Sequence, residues 1–265
     1  MHPIERLRYV ARASGAEPHA LTQEVAGSLA RFAGDPAALV TACRRMVDRH
    51  PAIGPIWWLC ARVLTAGDPA DEAWRALDDL HADRTVAELA HALPQDATVC
   101  VLGWPERLGE ALSRRGDVEV LVVDTLDEGS GFARHLVTRD VGSVDVPLSG
   151  LAAAASEADV VVLDVLAGGP DELLAVAGSH AAAAVARSAG KPVWAVVGVG
   201  RLLPARMWDA LVDRVTRPAD PWDLDEERVP IALVDRVVGV RGLEPVADAM
   251  RRIDCPVAPE LLRAV

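Results

Sequence analysis

Two periodicities divide the chain. Up to residue 94, apolar side chains recur three and four positions apart, as in Ile4-Leu7-Val10, Leu21-Val25-Leu29-Phe32 and Leu39-Ala42-Met46-Val47. That spacing puts an apolar stripe on one face of an α-helix. From Asp96 the pattern changes to short β-branched runs: Thr98 to Leu102, Val118 to Val123, Val144 to Leu148, Val160 to Val165 and Val193 to Val197. Helical stretches alternate with them at Glu106 to Arg115, Gly131 to Arg139, Ser149 to Glu157, Gly178 to Ala189 and Ala205 to Val215. Strands alternating with helices predict an α/β fold with a doubly wound, mostly parallel, Rossmann-like sheet. The expected organisation is a helical domain over residues 1–94 and a Rossmann-like α/β domain over 95–265.

Capping residues sharpen the helical half. Met1 to Ala13 reads as an amphipathic helix without the apolar core of a signal peptide. Asp35-Pro36 starts a helix with an N-cap and a first-turn proline, and His50-Pro51 ends it. The adjacent Trp57 and Trp58 diverge by about 100° on a helix, so one is expected in the core and the other against the second domain or a partner subunit. Asp68 to Leu93 predicts one long helix burying Trp74, Leu77, Leu80, Val86, Leu89 and Leu93. Near the C-terminus the pattern predicts an exposed acidic linker from Arg217 to Arg228, a sixth strand from Val229 to Val237 and a helix from Leu243 to Arg252.

The chemistry is expected around Ala158 to Val185. The run Val160 to Val165 reads as a strand buried on both faces and closed by Gly168-Gly169-Pro170, with Asp164 near its carboxyl end. Gly178-Ser179-His180 opens the next helix. Ligands of doubly wound sheets sit beyond the carboxyl ends of the strands. The expected site is therefore bounded by Gly103-Trp104, Asp127 to Gly131, Asp164, Gly178 to His180 and Gly198 to Arg201.

Each motif supports more than one reading. A carboxylate at the end of a buried strand is costly unless it is paired or faces a cavity, so Asp164 serves either a ligand or a structural salt bridge. Gly178-Ser179-His180 offers N–H groups, a hydroxyl and an imidazole for phosphate, or simple N-capping. In Asp127-Glu128-Gly129-Ser130-Gly131 the glycines suit a phosphate, whereas the two carboxylates suit a ribose hydroxyl or a cation; an ordinary flexible loop fits as well. GVGRLLP, Gly198 to Pro204, lacks the last glycine of a dinucleotide fingerprint and follows the fifth strand. It reads as a tight turn placing Arg201 over the strand ends, to clamp an anion or to face solvent.

Charge and cysteine usage narrow the classes. A net charge of −12 argues against a nucleic-acid surface. Lys191 is the only lysine, so phosphate contacts would fall to arginines, helix N-termini or that residue. Cys43, Cys60, Cys100 and Cys255 show no metal-type spacing and read as free thiols in a reducing cytoplasm. There is no Walker loop, HExxH, CxxC pair, Ser-His-Asp order or membrane-spanning run, and no cofactor, metal or membrane partner is expected.

Three separated segments resemble one family. HPAIGPIWWLCARVL resembles its proline-containing apolar N-terminal helix. The segment from Glu157 to Val197 resembles its strand, GAD turn, NKxGT helix start and following strand. Asp254 to Leu262 resembles its closing NPxFDVTPPELI-type segment. The family is that of the alpha, beta and delta subunits of translation initiation factor 2B, which also holds methylthioribose-1-phosphate isomerase and ribose-1,5-bisphosphate isomerase. The resemblance implies the fold and a homodimer through the α/β domain, but its catalytic positions are altered. The isomerase cysteine falls near Gly103, with Cys100 inside the preceding strand. The GAD turn falls on Leu163-Asp164-Val165, leaving Asp164, one residue early, as the expected catalytic equivalent. The NK pair falls near Ala175-Val176, and only the GT survives, as Gly178-Ser179. The expected phosphate-binding arginine falls in Leu126-Asp127, while Arg134 matches a later one.

Proton transfer between adjacent sugar carbons needs a positioned acid and base, each worth about 10²–10⁴-fold. The expectation is thus a divergent, initiation-factor-2B-like, non-catalytic or regulatory protein that binds a small phosphorylated sugar or nucleotide. Gly103, Trp104, Gly129, Ser130, Gly131, Arg134, Gly178, Ser179, His180 and Arg201 are its expected ligand-binding residues. The alternative is an aldose–ketose sugar-phosphate isomerase with rearranged catalytic residues. Arg201, Arg134 and Lys191 converging on one cavity would favour phosphate; a cavity filled by Trp104 or leucines would favour a protein-interaction scaffold.

Overall fold

A computed structural model describes residues 18–217 and 220–263; the helix expected at the N-terminus lies outside them. Helices α1 (Pro18–Leu29), α2 (Pro36–Arg49), α3 (Gly54–Thr65), α4 (Pro69–His81) and α5 (Thr85–Ala92) come first. The Asp35 carboxylate caps α2 by accepting the Ala38 N–H at 3.0 Å. Asp68 caps α4 in the same way through Ala70 and Asp71. The single helix expected from Asp68 to Leu93 is two helices. At the break, Asp83 accepts N–H groups from Thr85 (2.9 Å) and Val199 (3.0 Å) and pairs with Arg107 (2.5 Å). Leu80, Leu89 and Leu93 are buried as expected, but Trp74 is 52% exposed.

Both Trp57 and Trp58 are fully buried, and both meet later parts of the chain. Arg214 lies 4.9 Å from the Trp57 ring centroid, and Gly200 is so close to the Trp58 ring that an added Cβ would stand 2.9 Å from it. The two rings diverge, yet neither is left for a partner subunit.

The second half runs β1 (Thr98–Leu102), α6 (Glu106–Leu112), β2 (Glu119–Asp124), α7 (Gly129–Val137), β3 (Gly142–Pro147), α8 (Leu151–Glu157) and β4 (Val160–Asp164). It continues with β5 (Ala167–Gly168), β6 (Glu172–Val176), α9 (Ser179–Ser188), β7 (Val193–Val196) and α10 (Ala205–Thr216). It closes with β8 (Glu226–Pro230), β9 (Arg236–Gly239), β10 (Gly242–Pro245) and α11 (Val246–Met250). The main sheet has the order β10-β9-β7-β4-β1-β2-β3, parallel throughout except for the β10 edge. Alternate strand residues feed two cores. Val99, Val101, Val120 and Val122 pack with α5, α6 and α7, whereas Cys100, Val161, Leu163 and Ala195 pack with α8 and α9.

A third core joins the halves. Met207, Trp208, Leu211 and Val215 of α10, with Cys255, Ala258 and Leu261, pack into α1–α4. Residue 94 therefore separates element types, while the apolar cores cross it.

Three C-terminal expectations change. Val229 to Val237 is two strands: β8 pairs antiparallel with β6, and β9 pairs parallel with β7, with a 3₁₀ turn from Ile231 to Leu233 between them. The expected helix from Leu243 begins with β10 and becomes helical only over Val246–Met250. The supposed linker ends in β8 rather than in an exposed loop. The polar excursion after Gly168-Gly169 also carries β6, so β5, β6 and β8 make a small antiparallel sheet. Gly169 has a packing role: an added Cβ would lie 2.3 Å from the Trp208 ring.

Candidate functional site

In the main sheet the strand order reverses between β1 and β4, and the crevice outside their carboxyl ends is where such folds hold ligands. A cavity of about 190 Å³ opens there. Leu102 ends β1, and Trp104 and Pro105 follow it; Leu126 and Glu128 follow β2; Asp164 ends β4. Val176 and Ser179 flank the start of α9, and Asp225 and Glu226 come from the entry of β8. Local backbone shapes this rim. Gly103 and Gly178 take φ of +62° and +95°, the left-handed region that suits glycine. Leu126 and Asp127 both take φ of +58°, a strained pair of non-glycine residues at the mouth of the cavity.

Of the residues expected from sequence, Trp104, Glu128, Asp164 and Ser179 line the cavity. The DEGSG loop does not present an anion cradle. The Gly129 N–H donates to Asp124 Oδ1 at 2.7 Å, the Ser130 hydroxyl donates to Asp145 at 2.6 Å, and Gly131 lies under the Trp104 ring. Arg134 stands exposed on α7, away from the cavity wall. At the start of α9, the His180 N–H donates to Glu227 Oε1 at 2.6 Å, so a carboxylate of the chain already occupies that helix end, and the imidazole is exposed.

Arg201 lies behind the cavity wall. It is 4% exposed; its Nη1 donates to Asp164 Oδ1 at 2.9 Å and to the Val165 carbonyl. Burial, with the nearby Arg107 charge, lowers the Arg201 pKa from its ordinary value against the opposing pull of Asp164 and Asp83. Gly198 to Gly200 serve the same junction: an added Cβ on Gly198 would meet Asp83 and Arg107. Lys191 precedes β7, at the opposite end of the sheet. Arg201, Arg134 and Lys191 thus do not converge, and among the described residues no basic side chain lines the cavity.

The cavity is acidic instead, with Glu128, Asp164, Asp225 and Glu226 along it. Burial first, then the neighbouring Asp225 charge, raises the Glu226 carboxyl above its ordinary range. Among the described residues no three His, Cys, Asp or Glu side chains are grouped to hold a metal ion. Cys100 is buried in β1, and burial pushes its thiol up to about 12, leaving it protonated near neutral pH. Asp225, Glu226 and Val176 are absent from the sequence-based site. Their presence depends on β6 pairing with β8 across some fifty residues of chain; the one local hint is the carboxylate-rich run Asp223 to Glu227 just before a β-branched residue.

No protein-family model and no curated protein matches the sequence. Solved structures do match the fold. A translation initiation factor eIF-2B from Pyrococcus horikoshii OT3 superposes with a TM-score of 0.77 at 12% identity, covering 94% of this chain and 98% of that one. The eIF2B beta subunit from Chaetomium thermophilum gives 0.74 at 16% identity, covering 99% and 93%. A chain of the tetrameric eIF2B beta2-delta2 complex from the same organism gives 0.74 at 16%, covering 94% and 92%.

Proposed function

We propose that this chain, built on the fold shared with those initiation-factor subunits, is a divergent, non-catalytic member of their group acting as a regulatory or assembly module. The observation that carries the reading is the state of Asp164. The one carboxylate at the GAD-like turn is bound to Arg201, and among the described residues no thiol, imidazole or lysine lines the cavity with it. An aldose–ketose isomerisation has to remove a proton from one carbon and return one to its neighbour. Asp164 is held by a guanidinium, and none of the other cavity carboxylates, Glu128, Asp225 and Glu226, has a basic side chain beside it among the described residues to hold a sugar phosphate for such a transfer. The apolar walls, Leu102, Trp104, Leu126 and Leu166, are those expected for a scaffold, and the acidic rim disfavours a phosphate dianion.

Incubation with ribose 1,5-bisphosphate and methylthioribose 1-phosphate, followed by NMR, tests the proposal. The expected result is no turnover above the buffer blank. Turnover by the wild type that disappears in Asp164→Asn would overturn it.

A further inference from the structure

We infer that the cavity beside Trp104 binds a small organic cation, an amine carrying a short apolar body. The inference rests on the proposed non-catalytic cavity and adds the class of its ligand. Four carboxylates, Glu128, Asp164, Asp225 and Glu226, border the space, with no basic side chain of the described residues beside them. Arg201 pairs with Asp164 from behind, and the other three carboxylates have no ion-pair partner among the described residues. Like charges gathered at a partly buried site raise one another's cost of ionisation, and a bound cation relieves it. Burial first, and the neighbouring Asp225 charge second, raise the Glu226 carboxyl above its ordinary range.

Ser179 is the second, independent observation. It is 1% exposed and lines the cavity, yet its hydroxyl makes no hydrogen bond with any described residue. Buried hydroxyls ordinarily find a partner. An ammonium group, which only donates, would supply one.

The arrangement also selects among cations. A metal ion needs several oxygen ligands at one point, and no three such side chains are grouped that way among the described residues. Dispersed carboxylates around apolar walls suit a ligand with a body, and Trp104 is part of those walls. The volume of about 190 Å³ holds roughly six water-sized groups at ~30 Å³ each. The partial positive charge at the start of α9 opposes a cation, but Glu227, bonded to the His180 N–H, offsets it.

Calorimetric titration of the full chain with putrescine and n-butylamine, against 1,4-butanediol and n-butanol, tests the inference. Both amines are expected to bind at least about tenfold more tightly than the matching alcohols. Glu226→Gln and Ser179→Ala should each weaken amine binding by about fivefold or more while their thermal midpoints stay within a few degrees of wild type. Magnesium chloride at matched ionic strength should not displace the amines. The inference is overturned by no amine binding up to about 10 mM, by equal binding of the alcohols, by unchanged affinity in folded Glu226→Gln, or by stoichiometric displacement by magnesium. Amine failure without sugar-phosphate turnover strikes this inference alone, whereas turnover strikes the proposed function.

Discussion

Neutralising Asp164 should destabilise the protein before it alters any ligand. The Arg201 guanidinium is stripped of water, with 4% of its surface exposed, and the Asp164 carboxylate is 18% exposed at 2.9 Å from it. The Arg201 Nε has no partner among the described residues, and Arg107 adds like charge nearby. Removing one member of a buried pair costs about 3–5 kcal/mol, because the survivor remains charged and unpaired. Asp164→Asn keeps the shape and one acceptor, and the Val165 carbonyl contact survives. Its cost should sit nearer the 1.5–3 kcal/mol, roughly, of a hydrogen bond to a charged group. With a urea m-value of about 3 kcal/mol/M for a chain of this size, the midpoint should fall by about 0.5–1 M. Arg201→Met removes the stranded charge, so adding Asp164→Asn to it should cost far less than Asp164→Asn alone, giving a coupling energy above about 1 kcal/mol. Urea unfolding of the four proteins, followed by tryptophan fluorescence, measures the cycle. Additive single changes, or an Asp164→Asn cost within about 0.5 kcal/mol of zero, would refute the reasoning.

Other outcomes are equally specific. Cys43, Cys60, Cys100 and Cys255 are buried, and burial holds Cys100 and Cys255 at about 12; a disulfide reagent should label none quickly in native protein and all four in denaturant, and fast native labelling would contradict the packing. For Asp83, burial works to raise the carboxyl, but the Arg107 charge and the Thr85 hydrogen bonds win and lower it. Its contribution is therefore present above the unfolded pKa and lost as pH falls through the lower folded one, so the stability gap between wild type and Asp83→Asn should narrow on acidification in urea melts at pH near 5 and near 3. Gly169→Ala, which drives a methyl into Trp208, should cost about 1–3 kcal/mol by the same melts, and a neutral result would mean that β5 moves freely. The edge strand β3 exposes Val144, with Val137 and Leu148 beside it; sedimentation should find a homodimer at micromolar concentration that Val144→Lys weakens, and a wild-type monomer would refute that assembly.

The parts of the fold legible in sequence are those whose signal is local. Of the β-branched runs from Thr98 to Val197, those of β1, β4 and β7 became strands buried on both faces, and the largely exposed edge strand β3 follows from its β-branched composition alone. Asp35-Pro36 marked a helix start because capping is settled within four residues. The misread segments needed distant partners. Val229 to Val237 has the composition of one strand, yet Pro230 and the 3₁₀ turn divide it between two sheets. The helical period from Asp68 to Leu93 continues through Asp83 although the helix does not. Its carboxylate gains more from Arg107 and the Val199 N–H, over a hundred residues on, than the helix gains by continuing.

The site divides along the same line. The loops that gather at the carboxyl edge followed from strand order, and they placed Trp104, Glu128, Asp164 and Ser179 beside one cavity. What those loops offer a ligand depends on which charges are already satisfied within the chain. Arg201 reads as a phosphate clamp until Asp164 takes it; the start of α9 reads as an anion site until Glu227 takes it; the DEGSG hydroxyl reads as free until Asp145 takes it. Each of these partners is an acid, and each cancels a feature that would have attracted phosphate. With these groups consumed, the Ser179 hydroxyl and the carboxylates of Glu128, Asp225 and Glu226 are what the described residues leave at the cavity. A fold whose strand edges suit anions has, through internal pairing alone, turned its crevice toward the opposite charge.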